Sequence, residues 1–357
     1  MSGRRSNYLP ALDGLRAIAI LLVIGYHAGI SAMRGGFLGV DLFFLLSGYL
    51  ITSLVALEYD KHGAVSLFNF YMRRVLRLFP ALLLLLLLFI PLSFFWGGEN
   101  VGFAHLEESL VALLYFSNWS RAFQLFHTDY LGHTWSLAIE WQFYLLWPPL
   151  LYAFLKRIKT RRKVAWIALL IALLSWGWRL FLTLNEEAAE RIYNGLDCRI
   201  DGLLLGASIA LFLSDRPTRD SWSAAVRQRS HSFYLIAAAL FLLAFFNGEW
   251  DGSSTFALYL VLAELSAAVL IVVILLGEQE LWWIRVISWP PLVLVGAISY
   301  GIYLWHYPIY RLFVDLGWGS GRYLIGIAFP ISALIAYLSW RFLERPVLRL
   351  KSHFRTK

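Results

Sequence analysis

PALDGLRAIAILLVIGYHAGI, residues 10–30, and FLGVDLFFLLSGYLITSLVAL, residues 37–57, are the two stretches that decide the fold class. Each has the length of about 20 mainly apolar residues that a helix needs to cross a membrane. Comparable stretches follow near residues 78–96, 137–155, 164–184, 197–213, 231–247, 255–276, 290–311 and 323–342. The sequence therefore predicts an all-α integral membrane protein, a bundle of about ten transmembrane helices.

The composition agrees with a membrane bundle rather than a soluble protein. Hydrophobic residues make up 59% of the 357 residues and charged residues 15%, whereas a soluble domain carries about 25% charge. Cys198 is the one cysteine, so an internal disulfide is excluded. No cleavable signal peptide is expected, because Asp13 and Arg16 interrupt the first apolar stretch. We predict one multi-pass domain over residues 1–357, with a core at 8–345 and a basic cytoplasmic tail at 346–357.

The positions of the basic residues predict the orientation of the bundle. Cytoplasmic loops of membrane proteins carry an excess of Lys and Arg. If the N-terminus is inside, 24 of the 31 Lys and Arg residues fall on the inner side, mainly in the loops 58–77, 156–163 and 214–230 and at the two ends. We therefore predict that both termini are cytoplasmic. This asymmetry also explains the net charge of +8 without a nucleic-acid partner.

The first predicted helix carries two ionisable residues, Arg16 and His27. Eleven residues separate them, which is about 20° beyond three full turns, so both lie on one helix face roughly 16 Å apart. An ionisable residue inside a membrane span is costly and suggests a function. Arg16 would then lie in the inner half of the membrane and His27 in the outer half. The alternative is an arginine that reaches the membrane surface and a histidine bonded to a nearby carbonyl group.

Two carboxylates are candidates to orient His27. Asp41 lies about one turn inside the second helix, and Glu140 about two turns inside the fourth. His133, seven residues before Glu140, shares its helix face. A carboxylate beside an imidazole fixes its tautomer and raises its basicity. The alternatives are a carboxylate at the positive end of a helix dipole for Asp41 and an interhelical hydrogen bond for Glu140.

Two polar groups of residues complete the candidate site. Three arginines at the start of the third helix, Arg73, Arg74 and Arg77, are neighbours on its surface. Guanidinium groups are well suited to bind phosphate. The alternative role of these arginines is to anchor the helix at the membrane surface. One polar stripe of the ninth helix indicates a lined cavity; its members are Ser299, Tyr303, His306 and Tyr310.

Together these motifs resemble the membrane-bound acyltransferase 3 family. The resemblance runs from Tyr8 to Arg345. It rests on five segments in the same order as in the family: the spacing from Arg16 to His27, the run 35–48, FYMRRVLRLFP at 70–80, the segment 133–140 and SYGIYLWHYP at 299–308.

The resemblance implies transfer of an acyl group, usually acetyl from acetyl-CoA, to a hydroxyl of an extracytoplasmic glycan or a lipid-linked saccharide. It implies a multi-pass protein of the cytoplasmic (inner) membrane of a bacterium. Some relatives carry an extra soluble esterase-like domain, which this chain is expected to lack, and others acylate small metabolites such as antibiotics. The expected partners are acyl-CoA as donor, the acceptor and membrane lipids, with no permanently bound cofactor and no metal.

The resemblance also suggests a role for each candidate residue. His27 is assigned as the general base towards the acceptor hydroxyl or as a transient acyl carrier, with Glu140 or Asp41 orienting it. The residues assigned to the donor phosphates are Arg16, Arg73, Arg74 and Arg77. The residues assigned to the acceptor are His133, Ser299, Tyr303 and His306.

A proton-coupled secondary transporter is the main alternative function. Histidine, aspartate and arginine side chains inside a membrane suit proton movement. Transporters often contain inverted repeats and paired broken helices, and neither is apparent in this sequence. An inactive scaffold is a third possibility, in which none of the polar residues would matter. The sequence leaves open the acceptor, its hydroxyl, the acyl chain, a covalent acyl-enzyme and the oligomeric state.

Overall fold

The computed structural model describes residues 8–126, 128–278 and 280–354, and every regular element within them is a helix. The first eight α-helices are α1 (Pro10–His27), α2 (Gly39–His62), α3 (Leu67–Leu113), α4 (Ser117–Phe123), α5 (Trp135–Arg157), α6 (Arg161–Leu184), α7 (Ala189–Asn194) and α8 (Leu196–Ser214). The next eight are α9 (Arg216–Asn247), α10 (Leu260–Leu276), α11 (Trp282–Ile287), α12 (Pro290–Ala297), α13 (Ser299–Asp315), α14 (Gly321–Tyr323), α15 (Phe329–Ser339) and α16 (Arg345–Arg349). Short 3₁₀ or π-helical turns lie at Ser31–Leu38, Gly132–Thr134, Thr255–Tyr259, Leu324–Ala328, Trp340–Glu344 and Leu350–Phe354. The all-α prediction is confirmed, while residues 1–7 and the end of the predicted tail, 355–357, lie outside the described residues.

Seven of the described helical segments are long and apolar enough to cross a membrane, or eight if the bent pair α12–α13 counts as one span. Helices α5 and α8 also have the length of a span, 23 and 19 residues. They are more polar, because α5 contains Glu140 and α8 contains Asp197, Arg199 and Asp201. Both pack against α2, so these groups can meet protein rather than lipid. The multi-pass fold is confirmed, and the count of ten and the cytoplasmic termini stay predictions.

Helix α3 is 47 residues long and reverses its direction at Gly98. The backbone there has φ 69° and ψ −170°, a conformation that glycine adopts without a steric penalty. Beyond it the chain packs back on itself: the His105 ring stacks on Phe89 with centroids 5.0 Å apart, and His105 Nδ1 lies 2.9 Å from Ser93 Oγ. The predicted span at 78–96 is therefore the first arm of a helical hairpin.

Helices α12 and α13 meet at an angle of 68°, a break that the sequence did not reveal. A broken helix is tolerated at membrane depth where it is buried in protein or lines a cavity. Ser299 begins α13 at this break, and its hydroxyl is buried with no hydrogen-bond partner among the described residues. The break thus presents an unsatisfied hydroxyl to the interior of the bundle.

Helices α2 and α8 touch backbone to backbone. A Cβ atom at Gly48 would lie 1.8 Å from the Leu203 carbonyl oxygen, and one at Gly206 would lie 2.1 Å from the Leu45 carbonyl oxygen. Small residues at membrane helix interfaces permit such approach, and the close packing replaces the hydrophobic force that lipid removes. The two glycines therefore fix the distance between α2 and α8.

We predict that Gly48→Ala destabilises the fold by about 1–3 kcal/mol, because the added methyl group meets backbone that cannot rotate away. The measurement is thermal unfolding of the detergent-purified protein. Gly177→Ala is the matched control, since a methyl group added at Gly177 within α6 would have no neighbouring atom of the described residues within 4 Å. Equal melting temperatures for the two variants would contradict the close contact.

Candidate active site

A cavity of about 80 Å³ lies between α1, α2, α3, α5 and α13. We call it the inner cavity, because the predicted orientation of the bundle places it towards the cytoplasm. Its walls are apolar on the α2 side, where Phe43, Phe44 and Leu50 contribute. Its polar lining residues are Arg16, Ser47, Arg74, Arg77, Ser136, Glu140, Tyr144, Ser299, Tyr300 and Tyr303. The cavity thus combines three guanidinium groups with one carboxylate.

The start of α3 supplies two of these guanidinium groups. Ser66 caps the helix by accepting a hydrogen bond from the Asn69 backbone N–H at 3.4 Å, so the arginines fall in the first turns. Arg74 lies over the Phe70 and Tyr144 rings, 5.6 Å and 5.9 Å from their centroids. Its Nε is buried without a hydrogen-bond partner among the described residues. A buried donor of this kind is available to an anionic ligand.

Arg16 and Glu140 contribute one positive and one negative group to the lining of the inner cavity. Arg16 contacts Asp13 on its own helix at 3.3 Å. Glu140 accepts hydrogen bonds from Ser47 Oγ at 2.7 Å and from the Tyr144 hydroxyl at 3.2 Å. The carboxylate of Glu140 is therefore held by hydroxyl groups of α2 and α5.

A second cavity of about 140 Å³ adjoins the inner one. We call it the outer cavity, because the predicted orientation of the bundle places it away from the cytoplasm. Aromatic rings make up most of its wall, and its lining residues are Val23, Tyr26, His27, Phe37, Val40, Arg121, His133, Trp135, Tyr193, Trp250, Tyr303 and Tyr307. Arg121 is fixed there, because it pairs with Glu190 at 3.0 Å and donates to the Gly132 carbonyl oxygen at 3.2 Å. The outer cavity therefore offers ring faces together with imidazole and guanidinium groups.

The hydrogen bonds of His306 determine the tautomer of His27. His306 Nδ1 lies 2.7 Å from the Tyr303 carbonyl oxygen, and a carbonyl oxygen can only accept, so Nδ1 carries the proton. In the neutral ring His306 Nε2 then accepts, and His27 Nδ1, 2.9 Å away, donates to it. The free lone pair of His27 is consequently on Nε2, and His27 lines the outer cavity. His306 therefore orients His27, a role that the sequence analysis assigned to a carboxylate.

His133 adds a second imidazole to the outer cavity. It is 2% exposed, and neither ring nitrogen has a hydrogen-bond partner of good geometry among the described residues. Its ring stacks on Tyr307 at 5.0 Å between centroids and meets His306 edge-on at 5.6 Å. His133 lies in the 3₁₀ turn before α5, outside the spanning helices; burial first, then His306 and His27, hold its pKa well below the usual value. The neutral ring is thus available to a hydroxyl-bearing ligand.

Tyr303 lies at the boundary between the two cavities and lines both, as does Val40. The Tyr303 hydroxyl donates to the His133 carbonyl oxygen at 2.7 Å and accepts from Ser136 Oγ, also at 2.7 Å. These bonds hold the phenol ring between the arginine-lined and the histidine-lined space. Tyr303 and Val40 thus mark the place where the two cavities adjoin.

Asp41 is not the group that orients His27, contrary to the sequence-based hypothesis. It is fully buried and pairs with Arg199 of α8 at 2.6 Å. The Arg199 guanidinium is in turn 4.8 Å from the centroid of the Tyr193 ring. A second buried pair, Arg179 with Asp201, also at 2.6 Å, joins α6 to α8. Asp41 therefore belongs to an interhelical ion-pair cluster.

Glu140 and Arg73 also differ from their predicted placements. Glu140 faces the inner cavity and has no hydrogen bond to His27, so it does not orient the imidazole. Arg73 does not line the inner cavity; it pairs with Glu58 at 3.0 Å and donates to the Phe354 carbonyl oxygen at 2.6 Å. The i, i+4 spacing of Arg73 and Arg77 could not show which of them would find a protein partner.

Three of the four predicted acceptor residues line a cavity, whereas the fourth, His306, is fully buried and lines neither. Ser299 lines the inner cavity and His133 the outer one, while Tyr303 lies between them. Sequence reasoning missed eight polar lining residues, which are Tyr26, Ser47, Arg121, Ser136, Tyr144, Tyr193, Tyr300 and Tyr307. Arg121 lies in the short helix α4, which has no span-length signal, and hydroxyl groups within apolar helices carry little signal of their own.

Comparisons with known proteins agree with the resemblance seen in the sequence. A family model described as an acyltransferase domain matches residues 9–341. A protein of Staphylococcus aureus strain COL, provisionally named as an O-acetyltransferase, is 34% identical over 354 residues, covering 96% of this chain and 58% of the relative. O-acetyltransferase OatA of Staphylococcus aureus strain NCTC 8325 is 33% identical over 354 residues, covering 96% of this chain and 57% of OatA. The chain thus spans less than two thirds of the length of these relatives, and no solved structure gives a significant match.

We predict that Asp41→Asn destabilises the protein strongly, by roughly 3–5 kcal/mol, because it leaves the buried Arg199 charge without its partner. Arg199→Gln should do the same, and the double variant should recover part of the loss because no charge is then left unpaired. The measurement is thermal unfolding in detergent. If Asp41→Asn keeps the wild-type melting temperature, the ion pair is not a structural requirement.

Proposed function

The chain belongs to the acyltransferase 3 family, and we propose on this premise that it is an O-acyltransferase. It moves an acyl group, most simply acetyl from cytoplasmic acetyl-CoA, to a hydroxyl of an extracytoplasmic or lipid-linked saccharide. One observation carries the proposal: an arginine-lined cavity and a histidine-lined cavity meet at Tyr303. Such a pair of spaces suits a reaction whose anionic donor and hydroxyl acceptor arrive from opposite sides of a membrane.

The inner cavity is the proposed donor site. Coenzyme A carries phosphates at one end and the thioester at the end of its pantetheine arm. Arg74 and Arg77 would bind phosphate oxygens through charge-assisted hydrogen bonds, and Arg16 would add its charge. The apolar α2 wall would pack along the pantetheine arm, which extends towards Tyr303. This arrangement brings the thioester to the boundary with the outer cavity.

The outer cavity is the proposed acceptor site. Aromatic rings such as Trp135 and Tyr193 suit the apolar faces of a sugar ring. His133 would accept a hydrogen bond from a sugar hydroxyl, because its buried ring is neutral. The relatives' names support acetyl as the acyl group and oxygen as the acceptor atom. The corresponding location is the cytoplasmic membrane of a bacterium, with the donor on the cytoplasmic side.

His27 is the proposed general base. Its Nε2 lone pair would take the proton of the acceptor hydroxyl as the oxygen attacks the thioester carbonyl carbon. The C–S bond then breaks, a new C–O bond forms, and the thiolate of CoA takes the proton from His27. His306 is a positioning residue: it accepts from His27 Nδ1–H and so holds the tautomer and stabilises the imidazolium that forms.

We predict that His27→Ala and His27→Gln each lower acyl transfer by about 10²–10⁴-fold, the usual loss for a positioned base. Glutamine can hydrogen-bond but cannot take the proton at neutral pH. The measurement is transfer from isotope-labelled acetyl-CoA to membrane glycan, with release of free CoA, by membranes matched for folded protein. His231→Gln in α9, a histidine outside both cavities, is the control.

High acyl-transfer activity of the His27→Gln variant would show that another group takes the proton of the acceptor hydroxyl. A structural histidine would tolerate glutamine far better than alanine, because the amide still satisfies His306. If the wild-type membranes release no CoA in an acceptor-dependent way, the enzyme proposal itself fails, as it would for a transporter.

We predict that Arg74→Ala and Arg77→Ala each weaken acetyl-CoA binding about tenfold or more, since charge-assisted hydrogen bonds are worth roughly 1.5–3 kcal/mol. The measurement is equilibrium binding of labelled acetyl-CoA to purified protein. Arg285→Ala serves as the control, because that side chain is 66% exposed and pairs with Glu280 away from the cavity. If both α3 variants bind acetyl-CoA with wild-type affinity, these arginines serve only to anchor the helix at the membrane surface.

A further inference from the structure

The C-terminal turn Leu350–Phe354 is held against the start of α3. Arg73 Nη1 donates to the Phe354 carbonyl oxygen at 2.6 Å. The Phe354 ring meets the Phe68 ring edge-on, with centroids 6.3 Å apart. One polar and one aromatic contact thus fix a basic turn beside the arginines of the inner cavity.

Lys351 is the lysine that this turn brings to the arginines. It is half-buried, and burial first, then the positive charges of Arg77, Arg74 and Arg73, lower the pKa of its ammonium group to about 7. It has no ion-pair partner among the described residues. Arg77 and Arg74 line the inner cavity and Lys351 does not. The turn therefore places Lys351 outside the cavity lining and beside the start of α3, a position that we call the rim of the cavity.

Arg74, Arg77 and Lys351 form a cluster of three cations without ion-pair partners among the described residues. Neither of the neighbouring acids forms an ion pair with the cluster among the described residues: Glu140 accepts hydrogen bonds from Ser47 and Tyr144, and Glu344 accepts one from Ser339 Oγ at 3.1 Å. Like charges held close together, partly out of water, repel one another. A bound anion would turn this repulsion into attraction, so the cluster is better suited to the ligand-bound state.

We propose that Lys351 binds the 3′-phosphate of the CoA donor, an inference that rests on the proposed function. The 3′-phosphate sits on the ribose, at the end of CoA farthest from the thioester, and the pyrophosphate lies between them. With the thioester near Tyr303, the pyrophosphate falls among Arg74 and Arg77, which line the cavity. The 3′-phosphate then falls at the rim, where Lys351 lies. The C-terminal turn therefore selects CoA over donors that lack this phosphate.

The test compares the binding of CoA and 3′-dephospho-CoA to the purified full chain. We expect the wild type to bind CoA about tenfold more tightly than 3′-dephospho-CoA, because one charge-assisted contact is lost with the phosphate. Lys351→Ala should weaken CoA about tenfold and leave 3′-dephospho-CoA within about twofold, so that the preference disappears. Phe354→Ala, which loosens the turn, should reduce the preference in the same direction.

Arg349→Ala is the control, because it removes one exposed positive charge from the preceding helix turn; it should leave the preference intact. The proposal is overturned if Lys351→Ala weakens both ligands equally, since the lysine would then act as a general charge. It is also overturned if the wild type binds both ligands equally well. Absence of any CoA binding to the wild type would instead refute the donor part of the proposed function, and this inference with it.

Discussion

The ion pair between Asp41 and Arg199 is the interaction on which the arrangement of both cavities depends. Both side chains are fully buried, and in a membrane interior no water can replace a missing partner. The pair holds α2 to α8, and the contacts of Gly48 and Gly206 with the facing backbones leave these helices no other separation. Because α2 is fixed in rotation, the face about 100° round the helix from Asp41 and Gly48 presents Val40 and Ser47 to the cavities.

The two cavities differ in the charge of the side chains that line them. The inner one concentrates positive charge, which needs an anion from outside to be satisfied. The outer one contains neutral imidazoles whose protons are assigned by a backbone carbonyl, through His306 to His27. A carboxylate in the position of His306 would add a buried negative charge, whereas the neutral His306 ring fixes the tautomer of His27 without adding one. The neutral relay suits a site deep in apolar surroundings.

The sequence predicted the helices, the family and half of the polar residues that line the cavities, because hydropathy and helical periodicity are local properties. It could not predict partners, which depend on how each helix is rotated against the next. Asp41 and Glu140 were equally plausible neighbours of His27, yet one pairs with Arg199 and the other with Ser47. The bend before Ser299 lies inside a continuous apolar run and leaves no sign in the hydropathy. The predicted span ended at residue 96, before the polar residues 99 and 100, but the reversal at Gly98 depends on how the two arms of α3 pack.

The hydrogen-bonded layer at Tyr303 has an electrical consequence. In the proposed reaction each cavity would be open to a different side of the membrane, and the membrane voltage would then fall mainly across this layer. Moving one elementary charge through it against about 100 mV would require about 2.3 kcal/mol. In the proposed reaction the acetyl group replaces the hydrogen of the acceptor hydroxyl, and that proton ends on the CoA thiolate, so no net charge would cross the layer. Under that mechanism the overall transfer would need no electrical work at any membrane potential.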